Sequence, residues 1–384
     1  MITFDLEEAF LLLSRLVAIR SYPGEEGAVQ QAIADWFRQE GLHPELLVTE
    51  SGQPNLLVSV ENGAGPTILL NGHVDTVLAA QNWSCDPWQG RREGNRFYGL
   101  GAGDMKCGVV ANMLVTRALA QQKDSWRGTL LFSSVTDEEA YSIGARALIQ
   151  TLQARGIQPD ACMVTEPWHD SACIGGAGKV LVKVEVTGKA AHGFFPKEGI
   201  NAAIEAARFA AAVCAAVPEL SHEKIPSSQT ILSLHSGSEQ YVVTLPEKAT
   251  ILFSRQIVPG ESGEEVLDKL RRFADSLQSP ARFDFTLAPP YYPPWEFALQ
   301  QHPFGQAFAA AFTHHFGREL QTLYTAGVSD ANLFSGEMGL PTIVFGPKGA
   351  NWHQADEWVD LETIIDCAEV VRATAVGMGK KSEG

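Results

Sequence analysis

The feature that most constrains the fold is a repeated unit in which a short apolar run ends at histidine or acidic residues: PTILLNGHVDTV, GTLLFSSVTDEE and DACMVTEP. From Asp5 to about Gly178, runs of this kind, with NLLVSV as a further member, alternate with helical stretches. Strands alternating with helices imply an α/β domain with a mostly parallel sheet and helices on both faces. The texture changes at Lys179. KVLVKVEVTG alternates with period two, GINAAIEAARFAAAVCAAV has helical spacing and alanine content, and TILSLHSGS, KATILFSRQIVPG, SGEEVLDKLRRFADSL and ARFDFTLA follow. The order strand, helix, strand, strand, helix, strand suits a small α+β sheet with two helices on one face. APPYYPPWEF reads as a hinge or linker on its proline content, and beyond it the first texture returns in GQAFAAAFTHHFG and LPTIVFGPKG. The expected organisation is a catalytic domain split between 1–178 and 291–384, with a second domain inserted at 179–290.

A chain of 384 residues is long enough for two well-buried cores, and its composition of 45% hydrophobic and 19% charged residues is that of a globular protein. The formal charge of -16 repels phosphate backbones and anionic lipid, so neither nucleic acid nor a membrane surface is an expected partner. Six scattered cysteines without a C-x-x-C pair read as reduced thiols. MITFDLEEAFLLLSRLVAI is acidic where a signal peptide would be basic, and no apolar run is long enough to span a bilayer. A soluble, cytoplasmic protein is expected.

In open α/β sheets, ligands collect beyond the carboxyl ends of the strands. Metal-competent residues lie at such ends here: His73 and Asp75 after PTILLNG; Asp137, Glu138 and Glu139 after GTLLFSSVT; Glu166 after DACMVT; and His353 after TIVFGPKGANW. Asp104 stands in the glycine-rich YGLGAGDMKCG before a helix. The candidate ligands are His73, Asp104, Glu139, Glu166 and His353. Two imidazoles and three carboxylates suit zinc, with cobalt or manganese as alternatives, and one carboxylate can bridge two ions. Two metals about 3.5–4 Å apart polarise a carbonyl and acidify a water, and amide hydrolysis also needs a proton carrier that is not a ligand. The Glu138–Glu139 pair can supply one ligand and one base. Asp75 can accept from the far nitrogen of His73 and fix its tautomer. A lone HVD or DEE is ordinarily a solvated loop or helix cap; the whole set at predicted strand ends and a glycine turn points to a site. No G-x-S-x-G elbow competes, since GVSDAN lacks the pattern.

Taken in order, GHVDTV, GLGAGDMKCG, TDEEAYSIGA, TEP and GPKGANWHQADEWV resemble the motifs of the M20 metallopeptidase family, nearly end to end. The resemblance implies that Asp104 bridges two divalent ions, that His73 and Glu166 hold one, that Glu139 and His353 hold the other, and that Glu138 is the general base. VTGKAAHGFFPKEGINA is similar to the family's lid motif. By that resemblance the inserted domain is a lid and dimerisation domain, the enzyme is a homodimer, and His192 reaches the partner's active site. Cys107 replaces a glycine common in the second motif, and its place near a helix start is one where a thiol pKa can fall, although small-residue packing is the better explanation. His169, His314 and His315 receive no role.

Two departures bear on the substrate. Family members acting on amino-acid derivatives usually carry a carboxylate-clamping arginine three residues before Pro-Gly; here Gln256 holds that place and Arg255 is one residue early, hence on the opposite face of a strand, where it reads either as a solvated arginine or as a clamp re-aimed by a bulge. A second lid motif normally has an asparagine, where GSEQYVVTLPEK offers Tyr241 or Thr244. The expected function is hydrolysis of an N-acyl amino acid or related small amide. The alternatives are a dipeptidase or carboxypeptidase with the same metal site, and a non-catalytic binding protein on this scaffold.

Overall fold

In a computed structural model, which describes residues 3–216 and 221–379, the protein is a mixed α/β chain of two compact units. One comprises Met1–Ile174, Phe297–Leu323 and Ser329–Gly384; the other comprises Gly175–Glu296 and Tyr324–Val328. The second unit thus begins and ends a few residues outside 179–290, and it takes up a short later segment, 324–328, that nothing in the sequence announces.

The sheet of the first unit runs in the order Glu45–Val48, Pro54–Asn62, Gly128–Val135, Thr67–His73, Ala161–Val164, Thr342–Val344 and the start of Ala172–Gly176. Its four central strands are parallel, and the flanking strands pair antiparallel. Parallel strands covered on both faces bury nearly every residue, and all but the first residue of Thr67–His73 and all of Ala161–Val164 are buried. Helix Leu6–Val17 starts where the Asp5 carboxylate accepts from the Glu8 N–H at 2.8 Å, and it buries Ala9, Leu12, Leu13, Leu16 and Val17 along one stripe. Gly72 lies against Val109 of helix Cys107–Gln121, where an added Cβ would come within 2.9 Å of the valine methyl. Among the described residues no helix is long and apolar enough to cross a membrane.

The second unit has an antiparallel sheet in the order Gln229–Ser236, Lys248–Ile257, Gly178–Thr187, Arg282–Tyr292. Helices Ala202–Ala215 and Gly263–Ser276 pack on it, and Val180, Val182, Val184, Val186, Phe209, Ile251, Phe253 and Leu267 make the shared core. The alternation read from KVLVKVEVTG is the cause, since every second side chain meets a helix. The proline-rich APPYYPPWEF is less of a linker than its composition predicts. Its first half continues strand Arg282–Tyr292, with the ladder interrupted between Ala288 and Tyr292, where Pro289 and Pro290 have no ladder hydrogen bond to donate.

Arg255 is neither solvated nor aimed at a ligand. Strand Lys248–Ile257 keeps regular register with Gly178–Thr187 through Arg255↔Val180, so no bulge re-aims the side chain. The guanidinium is buried and ion-paired with buried Glu261 at 2.6 Å, and Lys269 approaches the same carboxylate at 3.2 Å. Gln256, on the other face, donates to the Ala326 carbonyl at 2.7 Å. Breaking a buried pair leaves an uncompensated charge. Arg255→Ala is therefore expected to lower unfolding stability by about 3 kcal/mol, read as a drop in the urea midpoint; a midpoint equal to the wild type's would contradict the structural role.

Candidate metal centre and active site

Register within the parallel sheet aligns the chemistry along one edge. His73 pairs with Val135 and Asn71 with Val164, so these strands end nearly level. The residues that follow, Asp137 to Glu139 on one strand and Glu166 on the other, emerge beside His73 at the carboxyl edge. Asp104 and His353 come from a separate small sheet. Strands Arg96–Tyr98 and Trp358–Asp360 pair through Trp358↔Tyr98, which brings the glycine-rich turn after one strand against the loop before the other. Asp137 at φ 64° and His353 at φ 60° lie in the left-handed region, where the chain reverses tightly enough to turn the neighbouring ligands inward.

The donor atoms form two groups that share one residue. In the first, His73, Asp104 and Glu166 present atoms within 4.8 Å of one another; in the second, Asp104, Glu139 and His353 do the same. His73 Nε2 lies 3.3 Å from Asp104 Oδ1 and 3.6 Å from Glu166 Oε1. His353 Nε2 lies 3.5 Å from Asp104 Oδ2 and 3.1 Å from Glu139. The two oxygens of Asp104 thus face different imidazoles. Glu138 belongs to neither group; its carboxylate stands 4.0 Å from His73 Nε2. Asp75 does more than orient a ring. Its Oδ2 accepts from the Glu139 N–H at 2.9 Å and its Oδ1 lies 3.5 Å from His73 Nδ1, whose nearer neighbour is the Asp75 backbone carbonyl at 3.1 Å.

The charges in this cluster call for a cation. Burial pushes the carboxyls of Glu138 and Glu166 well above their ordinary values, reinforced by repulsion from Asp330 and Asp104 respectively, and burial also raises Glu139. Burial acts on Asp104 in the same direction, yet hydrogen bonds from His353 and His73 outweigh it and hold this carboxyl well below the usual range. Hydrogen bonds to Asp104 and Glu139 raise His353 to about 10. His73 rises too, its burial being outweighed by Asp104 and Asp75. Imidazoles that hold protons this firmly among carboxylates mark a place where positive charge is strongly favoured, and a divalent ion supplies it in place of those protons. The donor set fits such ions by type, number and proximity.

Close backbone approach fixes Glu166. A Cβ at Gly108 would lie 2.0 Å from the Thr165 carbonyl oxygen, and one at Gly346 would lie 2.4 Å from that of Glu166, so only glycine lets the flanking segments close on this strand end. Buried Glu357, inside HQADEWV, accepts the backbone N–H groups of Gly101, Gly103 and Asp104 at 3.0, 2.7 and 2.9 Å and so clamps the turn that carries Asp104; burial and repulsion from Asp104 lift its carboxyl to about 8. Buried Lys106 donates to the Leu16 and Ile19 carbonyls at 3.0 and 3.1 Å, and burial lowers it to about 7. Asp330 of GVSDAN accepts from Asn71 at 3.2 Å beneath the ligands, and burial raises it to about 6. Sequence reading passes over these three residues. The available signal is a charged residue inside a segment already singled out: Lys106 in GLGAGDMKCG, Glu357 in GPKGANWHQADEWV and Asp330 in GVSDAN, which is read only for its serine.

The remaining candidates belong to neither donor group. His192 belongs to the second unit, where it pairs with Thr244 and its Nδ1 accepts from the Phe194 N–H at 3.2 Å. Cys107 is buried, its Sγ donates to the Gly103 carbonyl at 3.1 Å, and burial pushes the thiol up, so the helix start does not activate it. His169 and His315 meet on Asp366 at 3.4 and 2.8 Å, apart from both ligand groups.

The chain matches the model of peptidase family M20/M25/M40 over residues 69–376. It is 26% identical to a succinyl-diaminopimelate desuccinylase of Zymomonas mobilis over 370 residues, 94% of this chain and 95% of that one. It is 27% identical to one of Beijerinckia indica, with coverage of 93% and 95%. Among solved structures, the aminopeptidase PepT of Bacillus cereus aligns with a TM-score of 0.80 at 20% identity, covering 98% of this chain and 99% of that one. The YXEP protein of Bacillus subtilis, described as a dinuclear metal-binding peptidase of family M20, aligns with a TM-score of 0.75 at 17% identity and 97% coverage of each. With a family model spanning most of its length laid over a cluster of histidines and carboxylates at the sheet edge, the chain belongs to peptidase family M20/M25/M40 and is a metal-dependent amide hydrolase.

Proposed function

We propose that the protein hydrolyses the amide bond of a small N-acyl amino acid with two divalent ions, zinc by donor type. His73 and Glu166 hold one ion, Glu139 and His353 the other, and Asp104 both. The observation that carries this reading is the pair of three-residue donor groups sharing Asp104. Support for the acyl substrate comes from desuccinylases matched along nearly the whole chain, and support for two ions from a structural neighbour described as dinuclear. Bound there, the ions polarise the amide carbonyl and acidify water. Glu138 takes the proton released as water adds to the carbonyl and delivers it to the leaving nitrogen. Burial raises its carboxyl, which strengthens the carboxylate as a base. Asp75 holds His73 and the Glu139 backbone in fixed relation, so that attack occurs on a rigid frame.

The same reading makes the enzyme a homodimer built on the second unit, with His192 of one copy donating a hydrogen bond to the oxyanion formed in the other. Strand Gln229–Ser236 is an edge of its sheet and leaves Leu232 and Leu234 exposed, and Ile204 on helix Ala202–Ala215 is exposed as well. Unpaired edge strands bearing apolar side chains favour pairing between copies. Free cysteines, none in a disulfide, accord with a reducing, cytoplasmic setting.

Glu138→Gln is expected to keep the fold and the bound metal while turnover falls by about 10²–10⁴-fold. Near-normal turnover in a metal-replete variant would refute the base assignment. His192→Ala should lower kcat by about 10²–10³-fold. Mixing it with Glu138→Gln under subunit exchange should restore activity, since a mixed dimer contains one intact site. Exchange confirmed by mass with no return of activity would remove His192 from the partner's chemistry.

A further inference from the structure

We propose that Trp168 and Trp352 form an aromatic wall of the substrate pocket that selects amides carrying an uncharged apolar group beside the scissile bond. This rests on the amide-hydrolase reading and names its substrate class. Each indole is carried by a different ligand segment. Trp168 lies two residues beyond Glu166 and donates its backbone N–H to the Glu166 carbonyl at 2.7 Å. Trp352 immediately precedes His353, and its ring lies over the turn before Asp104, where a Cβ on Gly103 would come within 3.3 Å of the indole Cδ1 and Nε1. The rings meet with centroids 6.1 Å apart at a tilt of 55°. One aromatic pair therefore joins the segments bearing Glu166, Asp104 and His353, which contribute to both donor groups.

Neither tryptophan is sealed in the core: both are half-buried, whereas Phe132, Phe304 and Phe345 in the same unit are fully buried. The turns that follow other site residues add exposed apolar surface, with Leu78 three residues past Asp75 at 74% exposure and Tyr141 two past Glu139 at 51%. Cations on or near these segments are already engaged. Lys106 donates to two carbonyls, Lys348 pairs with Asp170 at 3.0 Å, Arg318 reaches the same carboxylate, and Arg146 pairs with Glu337. In the other unit Arg255 is bound to Glu261. A carboxylate on the tryptophan side would find no free guanidinium among these and would face an acidic protein, whereas an aryl or alkyl group would pack against the half-buried rings.

The test uses the zinc-loaded protein and three substrates that differ only in the acyl group: N-benzoyl-, N-acetyl- and N-succinyl-alanine. The wild type should favour N-benzoyl over N-succinyl by at least about tenfold in kcat/KM. Trp352→Ala and Trp168→Ala should cut the N-benzoyl value by about tenfold while N-acetyl stays within about threefold, and Trp352→Phe should recover most of the loss. Equal or better turnover of N-succinyl, or a proportionate loss for all three substrates, overturns the wall. Binding is read independently by titrating tryptophan fluorescence with benzoate and succinate. Saturable quenching by benzoate that weakens in Trp352→Phe supports the wall even if no amide is cleaved, in which case the hydrolase reading alone fails. Preference for succinate overturns the wall whatever the activity.

Discussion

Everything at the centre turns on one carboxylate placed between two imidazoles. Asp104 presents one oxygen to His73 and the other to His353, and its backbone is held by three N–H groups converging on Glu357. The turn has little freedom, because Gly101 supplies a left-handed residue at φ 76° and Gly103 leaves room for an indole. A shared carboxylate couples whatever cations occupy the two sides, since moving it toward one moves it away from the other.

Such a cluster is costly without positive charge. Buried carboxylates raise one another and draw protons onto themselves and the histidines, which amounts to a standing demand for cations. Ligand deprotonation makes occupancy pH-dependent: cations and protons compete for the same nitrogens and oxygens, so affinity falls as the solution is acidified. The parallel sheet pays for this locally by surrounding the edge with sealed apolar strands, Thr67–His73 and Ala161–Val164 above all.

The fold was legible wherever periodicity decides it. Short apolar runs ending in His73, Glu138–Glu139 and Glu166 became adjacent parallel strands with level ends, and the period-two pattern from Lys179 became a half-covered antiparallel sheet. Side chains whose role depends on a distant partner were not legible. Arg255 looked like a ligand-binding or solvated residue because Glu261, six positions on, gives no local sign of turning back to meet it. Glu357 and Asp330 act by accepting N–H groups from chain more than 250 positions away, which no spacing rule encodes. The prolines of APPYYPPWEF suggested a break, but proline is barred only where its missing N–H is needed, and that stretch of ladder is interrupted.

The most direct measurement of the central claim is the metal content of Asp104→Ala, read by elemental analysis after zinc loading and gel filtration, with circular dichroism to show that the fold persists. If one carboxylate serves both ions, the wild type holds two per chain and the folded variant holds neither. A folded Asp104→Ala protein that retains two ions per chain would contradict the shared-ligand account.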